Sequence, residues 1–140
     1  MTPEENDLLC RVEGEAPMGQ LMRRHWLPIC MIEEVAEPDG APLRVRIVGE
    51  DLVVFRDSAG QLGVLEEYCV HRGASLVYGR NEQGGIRCLY HGWKFDGAGN
   101  CTERPQEPGK AGGGVTIKSY PTREHVGFIW AYFGPGQPPA

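Results

Sequence analysis

Four side chains near the middle of the sequence have the types and spacing of a metal centre. Cys69 and His71 stand in Cys69-Val70-His71, and Cys88 and His91 in Cys88-Leu89-Tyr90-His91. Together they offer two thiolates and two imidazoles. Two chemistries accept that set. Structural zinc modules bind one tetrahedral ion through two Cys and two His. A [2Fe–2S] cluster accepts it when two histidines replace two cysteines on one of its irons. Spacing separates these readings. Zinc modules usually open with a cysteine pair two to four residues apart, whereas one residue separates the unlike ligands Cys69 and His71. A third reading is four unrelated core residues, because Cys is often buried. Two Cys/His pairs, each closed by a glycine (Gly73 and Gly92), argue against coincidence.

Mixed ligation has a definite electronic consequence. Two ferric ions, two sulfides and two thiolates sum to a neutral oxidised cluster, whereas four thiolates leave it dianionic. The neutral species takes up an electron more easily, because iron–sulfur potentials follow net charge, hydrogen bonding and exposure. An imidazole serves as a ligand only when its coordinating nitrogen carries no proton.

The segments Cys69-Val70-His71-Arg72-Gly73-Ala74 and Cys88-Leu89-Tyr90-His91-Gly92-Trp93-Lys94-Phe95-Asp96 resemble the ligand loops of Rieske domains, particularly those of ring-hydroxylating and demethylating oxygenases. Residues 17–28 resemble the N-terminal region of phthalate-dioxygenase-type oxygenases, and residues 127–134 the last strand of their Rieske domain. The resemblance therefore extends over nearly the whole chain. It departs at Val70, where the family commonly has Pro. Rieske proteins of respiratory and photosynthetic complexes join their ligand loops by a disulfide and place Ser after the second His-Gly. Here those positions are Ala74, Tyr90 and Trp93. With both potential-raising devices absent, the resemblance implies a midpoint near the low end of the Rieske range, about −150 to +300 mV. It also singles out Arg72, Gly73, Tyr90, Gly92 and Trp93 as the residues around the cluster. The two glycines permit backbone conformations barred to other residues. Trp93 either screens one side of the cluster from water or is plain core packing.

In such oxygenases electrons arrive from a flavin-containing reductase. They pass to a mononuclear Fe(II), held by two histidines and a carboxylate in a catalytic domain, usually that of a neighbouring subunit. Only His25 and His125 remain here once the cluster is ligated, a hundred residues apart. They cannot supply the local histidine pair of a facial triad. The expectation is an electron-transfer domain whose catalytic iron lies in a domain absent from this chain. A self-standing Rieske ferredoxin is the alternative, and a structural zinc module without redox activity a further one.

Composition narrows the partners. The 140 residues suffice for one domain. A net charge of −5 leaves no basic stripe for nucleic acid, and Arg23-Arg24 is too short to provide one. No stretch approaches the roughly 18 apolar residues of a membrane span, and Met1-Thr2-Pro3-Glu4-Glu5 is acidic where a signal peptide is basic. A cytoplasmic location follows as the expectation. Cys10, Cys30 and Cys101 are then packed or surface residues with no need to pair.

The elements that must position the four ligands are mostly strands. With 20 Gly and 11 Pro, short strands and tight turns outweigh long helices. Thr2, Pro3 and Glu5 form a capping box ahead of a short helix carrying Leu8, Leu9 and Val12. A second helix after Pro17 groups Met18, Leu21 and Met22 on a core face, with Trp26 one turn on. Leu43–Val48 alternates as a half-buried strand, and residues 51–56 and 61–65 form a hairpin leading into the first ligand loop. Gly85–Arg87 and Trp93–Phe95 flank the second loop. Residues 103–114 read as an exposed loop, and Val115–Tyr120 and Gly127–Phe133 as strands closing the sheet. The fold class is all-β: a small antiparallel barrel or sandwich holding its cluster between two loops at one tip. Residues 1–40 form an N-terminal helical extension, 41–134 the cluster domain, and 135–140 a linker-like end.

Overall fold

Helix α1 (Pro3–Cys10) begins where its capping box dictates. Thr2 Oγ1 accepts the Glu5 amide at 3.1 Å, and Glu5 Oε2 accepts the Thr2 amide at 2.8 Å. The helix buries no side chain, and Leu8 and Leu9 are exposed. Helix α2 (Pro17–Met22) is less than two turns long, too short to bury a full face. Met22 packs into the core while Leu21 stays exposed, so the expected shared core face is only partly realised. The computed structural model describes residues 1–105 and 114–140. Most of the loop expected over 103–114 thus lies outside the described residues.

Ten strands follow the helices: β1 (Trp26–Met31), β2 (Leu43–Ile47), β3 (Glu50–Arg56), β4 (Leu62–Glu66), β5 (Arg80–Glu82), β6 (Gly85–Arg87), β7 (Lys94–Phe95), β8 (Cys101–Glu103), β9 (Thr122–His125) and β10 (Phe128–Tyr132). They form three antiparallel sheets, ordered β1-β10-β9, β2-β3-β4 and β5-β6-β7-β8. The all-β antiparallel class is therefore observed. Trp26 belongs to β1, whose pairing with β10 brings the N-terminal region into a sheet.

Strand β3 organises the interior. Its run Leu52-Val53-Val54-Phe55 is fully buried, the pattern of a strand covered on both faces. Alternation sends Val53 and Phe55 into one core with Leu65, Ile86 and Phe95. Leu52 and Val54 enter a second core with Val64, Ile129 and Ala131. The first core also contains Cys69, Cys88 and Trp93. The two Cys/His loops thus stand directly on packed hydrophobic side chains.

Three hairpins share one turn chemistry. β2–β3, β5–β6 and β9–β10 are each closed by a two-residue loop, Val48-Gly49, Gln83-Gly84 and Val126-Gly127. Both residues of each loop have positive φ, as tight primed turns require. Glycine suits such a position and valine does not. Val126 (φ +47°) is 71% exposed and has little packing to lose. Val126→Asn is expected to stabilise the protein by about 1 kcal/mol, because Asn tolerates the left-handed region. A higher urea-unfolding midpoint is the measurement; an unchanged or lower one contradicts the reading.

Val115–Tyr120 is not the strand its alternation suggests. Thr116 and Ser119 form isolated bridges to Asn100 and Leu65. The segment is instead stitched to two different elements: the Cys101 amide donates to Val115 O, and the Tyr120 amide to Val64 O. Serving both leaves it no continuous ladder with either. The segment just beyond supplies β9, which pairs with β10 on the side away from β1. Among the described residues no helix is long and apolar enough to cross a membrane.

Candidate metal centre

The two candidate ligand loops are the same turn built twice. The Cys69 amide donates to Ala74 O at 2.8 Å and the Gly73 amide to Cys69 O at 2.7 Å. Likewise the Cys88 amide donates to Trp93 O at 2.7 Å and the Gly92 amide to Cys88 O at 3.0 Å. In each loop the glycine four residues after the cysteine is left-handed, with φ +74° at Gly73 and +77° at Gly92. A Cβ on Gly73 would meet nothing within 4 Å, so backbone conformation rather than space calls for glycine there. The loops differ in where the histidine falls, two residues after Cys69 and three after Cys88. Their imidazoles meet edge to face, ring centres 4.6 Å apart.

Cys69 and Cys88 are buried, free, and within hydrogen-bonding reach of each other. Burial pushes the Cys69 thiol up to about 11, and the adjacent Cys88 adds to the rise. The backbone amides of His71 and Arg72 point at the Cys69 sulfur and oppose it. Both histidines carry a buried Nδ1 without a hydrogen-bond partner. Buried polar atoms are nearly always satisfied, and an orphan needs a reason. Burial, then the neighbouring His71 and Arg72, hold the His91 imidazolium below the usual histidine range, which keeps the ring neutral. Two adjacent thiols and two inward, unpartnered nitrogens fit a group needing two sulfur and two nitrogen ligands.

Among the described residues, no three His, Cys, Asp or Glu side chains converge on a single ion position.

The residues expected around the cluster divide by face. Trp93, 8% exposed, stacks on the His71 ring at 4.1 Å and 5°. Arg104 lies over the Trp93 ring, 5.4 Å from its centroid. Tyr90 is exposed and meets the His91 ring edge-on at 3.9 Å. The Arg72 side chain is exposed, and the Gly73 and Gly92 amides bond to cysteine carbonyls. Val70 and Leu89, between the ligands in sequence, are also exposed, so the tip presents an apolar surface. His25 and His125 belong to other elements, and both are exposed.

Sequence reasoning missed the supports of the first loop. Glu67, 1% exposed and two residues before Cys69, accepts Arg44 Nε and Nη2 at 3.1 and 2.8 Å and Ser75 Oγ at 2.7 Å. The Leu76 amide donates to the Glu67 carbonyl at 2.7 Å. The available signal was a pair of acids, Glu66-Glu67, set between the apolar Val64-Leu65 and Tyr68-Cys69.

Comparison with known proteins agrees with this geometry. The sequence profile of the Rieske [2Fe-2S] domain matches residues 25–121. The phthalate 4,5-dioxygenase oxygenase subunit of Pseudomonas putida is 62% identical over 137 residues, spanning 96% of this chain and 31% of that protein. The crystal structure of dicamba monooxygenase bound to dicamba superposes with a TM-score of 0.73 at 31% identity, covering 81% of this chain and 35% of the other. The oxygenase–ferredoxin complex of carbazole 1,9a-dioxygenase matches with a TM-score of 0.71 at 32% identity, covering 84% and 30%. The chain thus spans about a third of the length of the relatives it matches. The matched stretch runs through both ligand loops and the strands beneath them, and on that ground the chain belongs to the Rieske [2Fe–2S] domain family.

Proposed function

We propose that this chain is the one-electron transfer domain of a ring-hydroxylating or demethylating oxygenase, with Cys69 and Cys88 on one iron of a [2Fe–2S] cluster and His71 and His91 on the other. The observation that carries this reading is the pair of buried, unpartnered Nδ1 atoms beside two free, adjacent thiols. When bound, the cluster supplies a reversible one-electron couple. The chain's own residues do the rest. The twin turns fix the ligands, Trp93 keeps water from the His71 ring, and Tyr90 covers the edge of His91. The exposed apolar tip at Val70, Leu89 and Tyr90 suits brief docking of redox partners. Those partners are a flavin-containing reductase or a ferredoxin on one side. On the other is an oxygenase catalytic domain with a mononuclear Fe(II), in the same polypeptide or a neighbouring subunit.

Residues 41–134 form the domain proper, 1–40 an extension contributing β1, and 135–140 a linker-like end. The absence of a disulfide among the described cysteines suits a reducing, cytoplasmic setting. Protein purified without oxygen is expected to be red-brown, to contain iron and acid-labile sulfide, and to give a rhombic EPR signal after dithionite. Colourless protein holding stoichiometric zinc would sink the proposal. Trp93 occupies the place of the sulfur-bonding serine, and no disulfide joins the loops. A midpoint below about +100 mV is therefore expected in a redox titration; a higher value contradicts this account of the tuning.

A further inference from the structure

We infer that Arg87 is a positioning residue that locks the second ligand loop to the sheet and so fixes where Cys88 and His91 point. This rests on the ligation proposed above. Arg87 is the last residue of β6 and immediately precedes Cys88. Its side chain is only 13% exposed. The guanidinium serves three acceptors at once. Nη1 donates to the Gly92 carbonyl at 2.7 Å, Nε to Glu82 at 3.2 Å, and Nη2 to Glu103. Glu82 belongs to β5 and Glu103 to β8, the outer strands of the four-stranded sheet. One planar fork thus ties the carbonyl next to His91 to both margins of that sheet. Lysine cannot reproduce this, because its three donors share one atom on a flexible stem.

The first loop is held differently. Glu67 and Ser75, which carry its side-chain network, lie outside the Cys69–Gly73 turn. Arg87, by contrast, bonds a carbonyl within the five-residue span Cys88–Gly92. The chemistry around the fork supports its persistence. The Arg87 hydrogen bond, aided by Lys94, holds the Glu103 carboxyl below the usual carboxylate range. Lys94 Nζ lies 3.3 Å from Glu103, so two cations and two carboxylates alternate behind the loop.

The test uses the whole 140-residue chain. Arg87→Met and Arg87→Lys are compared with Arg80→Met, a control in which an exposed arginine loses only a 3.6 Å contact to Glu82. Iron-loaded protein is mixed with a strong iron chelator, and release is followed by loss of visible absorption. Arg87→Met is expected to release iron at least about tenfold faster, as loss of an outer partner does at metal sites, with a broadened EPR signal. Arg87→Lys should remain several-fold faster than the parent, and Arg80→Met should match it. Parental release from Arg87→Met, or full rescue by Arg87→Lys, overturns the inference. A second measurement needs no iron: amide hydrogen exchange of the metal-free chain. In Arg87→Met the Gly92 amide should exchange at least tenfold faster while Val53 and Val54 in β3 keep parental rates. Unchanged Gly92 exchange overturns the inference, as does equal acceleration in β3. Iron-free parent protein with accelerated Gly92 exchange in the variant would refute the ligation and leave the loop lock standing.

Discussion

Replacing His91 with alanine is expected to strip the protein of its visible absorption and of its iron. Truncating a residue that merely orients a ligand costs about 10–100-fold in metal affinity; deleting a ligand removes the bond itself. Among the described residues the nearest side chains do not replace it, since Tyr90 points an aromatic edge at the ring and His71 is assigned its own place in the proposed ligation. The domain beneath should survive, because both cores are built from residues other than His91. Far-ultraviolet circular dichroism should therefore stay near that of the parent while iron content falls to background. His125→Ala is the matched control, as His125 is exposed at the end of β9. It should keep the full spectrum. An unaltered spectrum in His91→Ala would falsify the ligand assignment.

Arg44→Met should produce the largest loss of stability from a single surface-reaching side chain. Glu67 is 1% exposed, and Arg44 supplies its positive partner through two nitrogens while remaining 48% exposed itself. Removing Arg44 leaves a buried carboxylate with Ser75 Oγ as its side-chain donor. Breaking a buried pair from one side costs about 3–5 kcal/mol. The half-exposed arginine lets water enter the gap, which moderates the loss, so the expected outcome is a urea-unfolding midpoint clearly below the parent's. Because Glu67 lies two residues before Cys69, iron should also be held less firmly. The double variant Arg44→Met/Glu67→Leu removes the stranded charge and should recover most of that loss, since apolar replacement of a buried pair is often neutral. Urea unfolding of the parent, both single variants and the double variant measures this. Equal losses in Arg44→Met and the double variant would show that the buried charge is not what matters.

The parts read successfully from the sequence are those fixed by neighbours along the chain. The capping box at Thr2 and Glu5 closes over three residues. The β3–β4 hairpin declares itself through alternation and the Asp57–Gly60 turn, where Asp57 Oδ1 accepts the Ala59 and Gln61 amides. The two Cys/His turns are equally local, and each cysteine, histidine and glycine lies within five positions. What stayed hidden depends on distant partners. β1 is a strand because it meets β10, about a hundred residues later. Val115–Tyr120 alternates like a strand, yet its hydrogen bonds are divided between two elements. Leu8 and Leu9 follow a helical period while facing solvent, because periodicity marks an apolar face and not what covers it. Nothing in the sequence distinguishes Arg87 and Arg44 from other charged strand residues. Their roles arise from carboxylates brought near by pairing and by the loop itself.

A single strand lined by both interiors has a consequence for how the molecule comes apart. β3 is hydrogen-bonded on each side, to β2 and to β4, and seals one apolar interior with each face. Neither half can melt while the other persists, since dissolving one strips that strand of half its cover. Opening of its amides is therefore a whole-molecule event, and thermal unfolding should trace one sigmoid whether followed at the tip or at the far sheet. Damage severe enough to dissolve either interior is thereby felt in the other through β3, so such a chain becomes degradable as a whole and does not linger as an inert half.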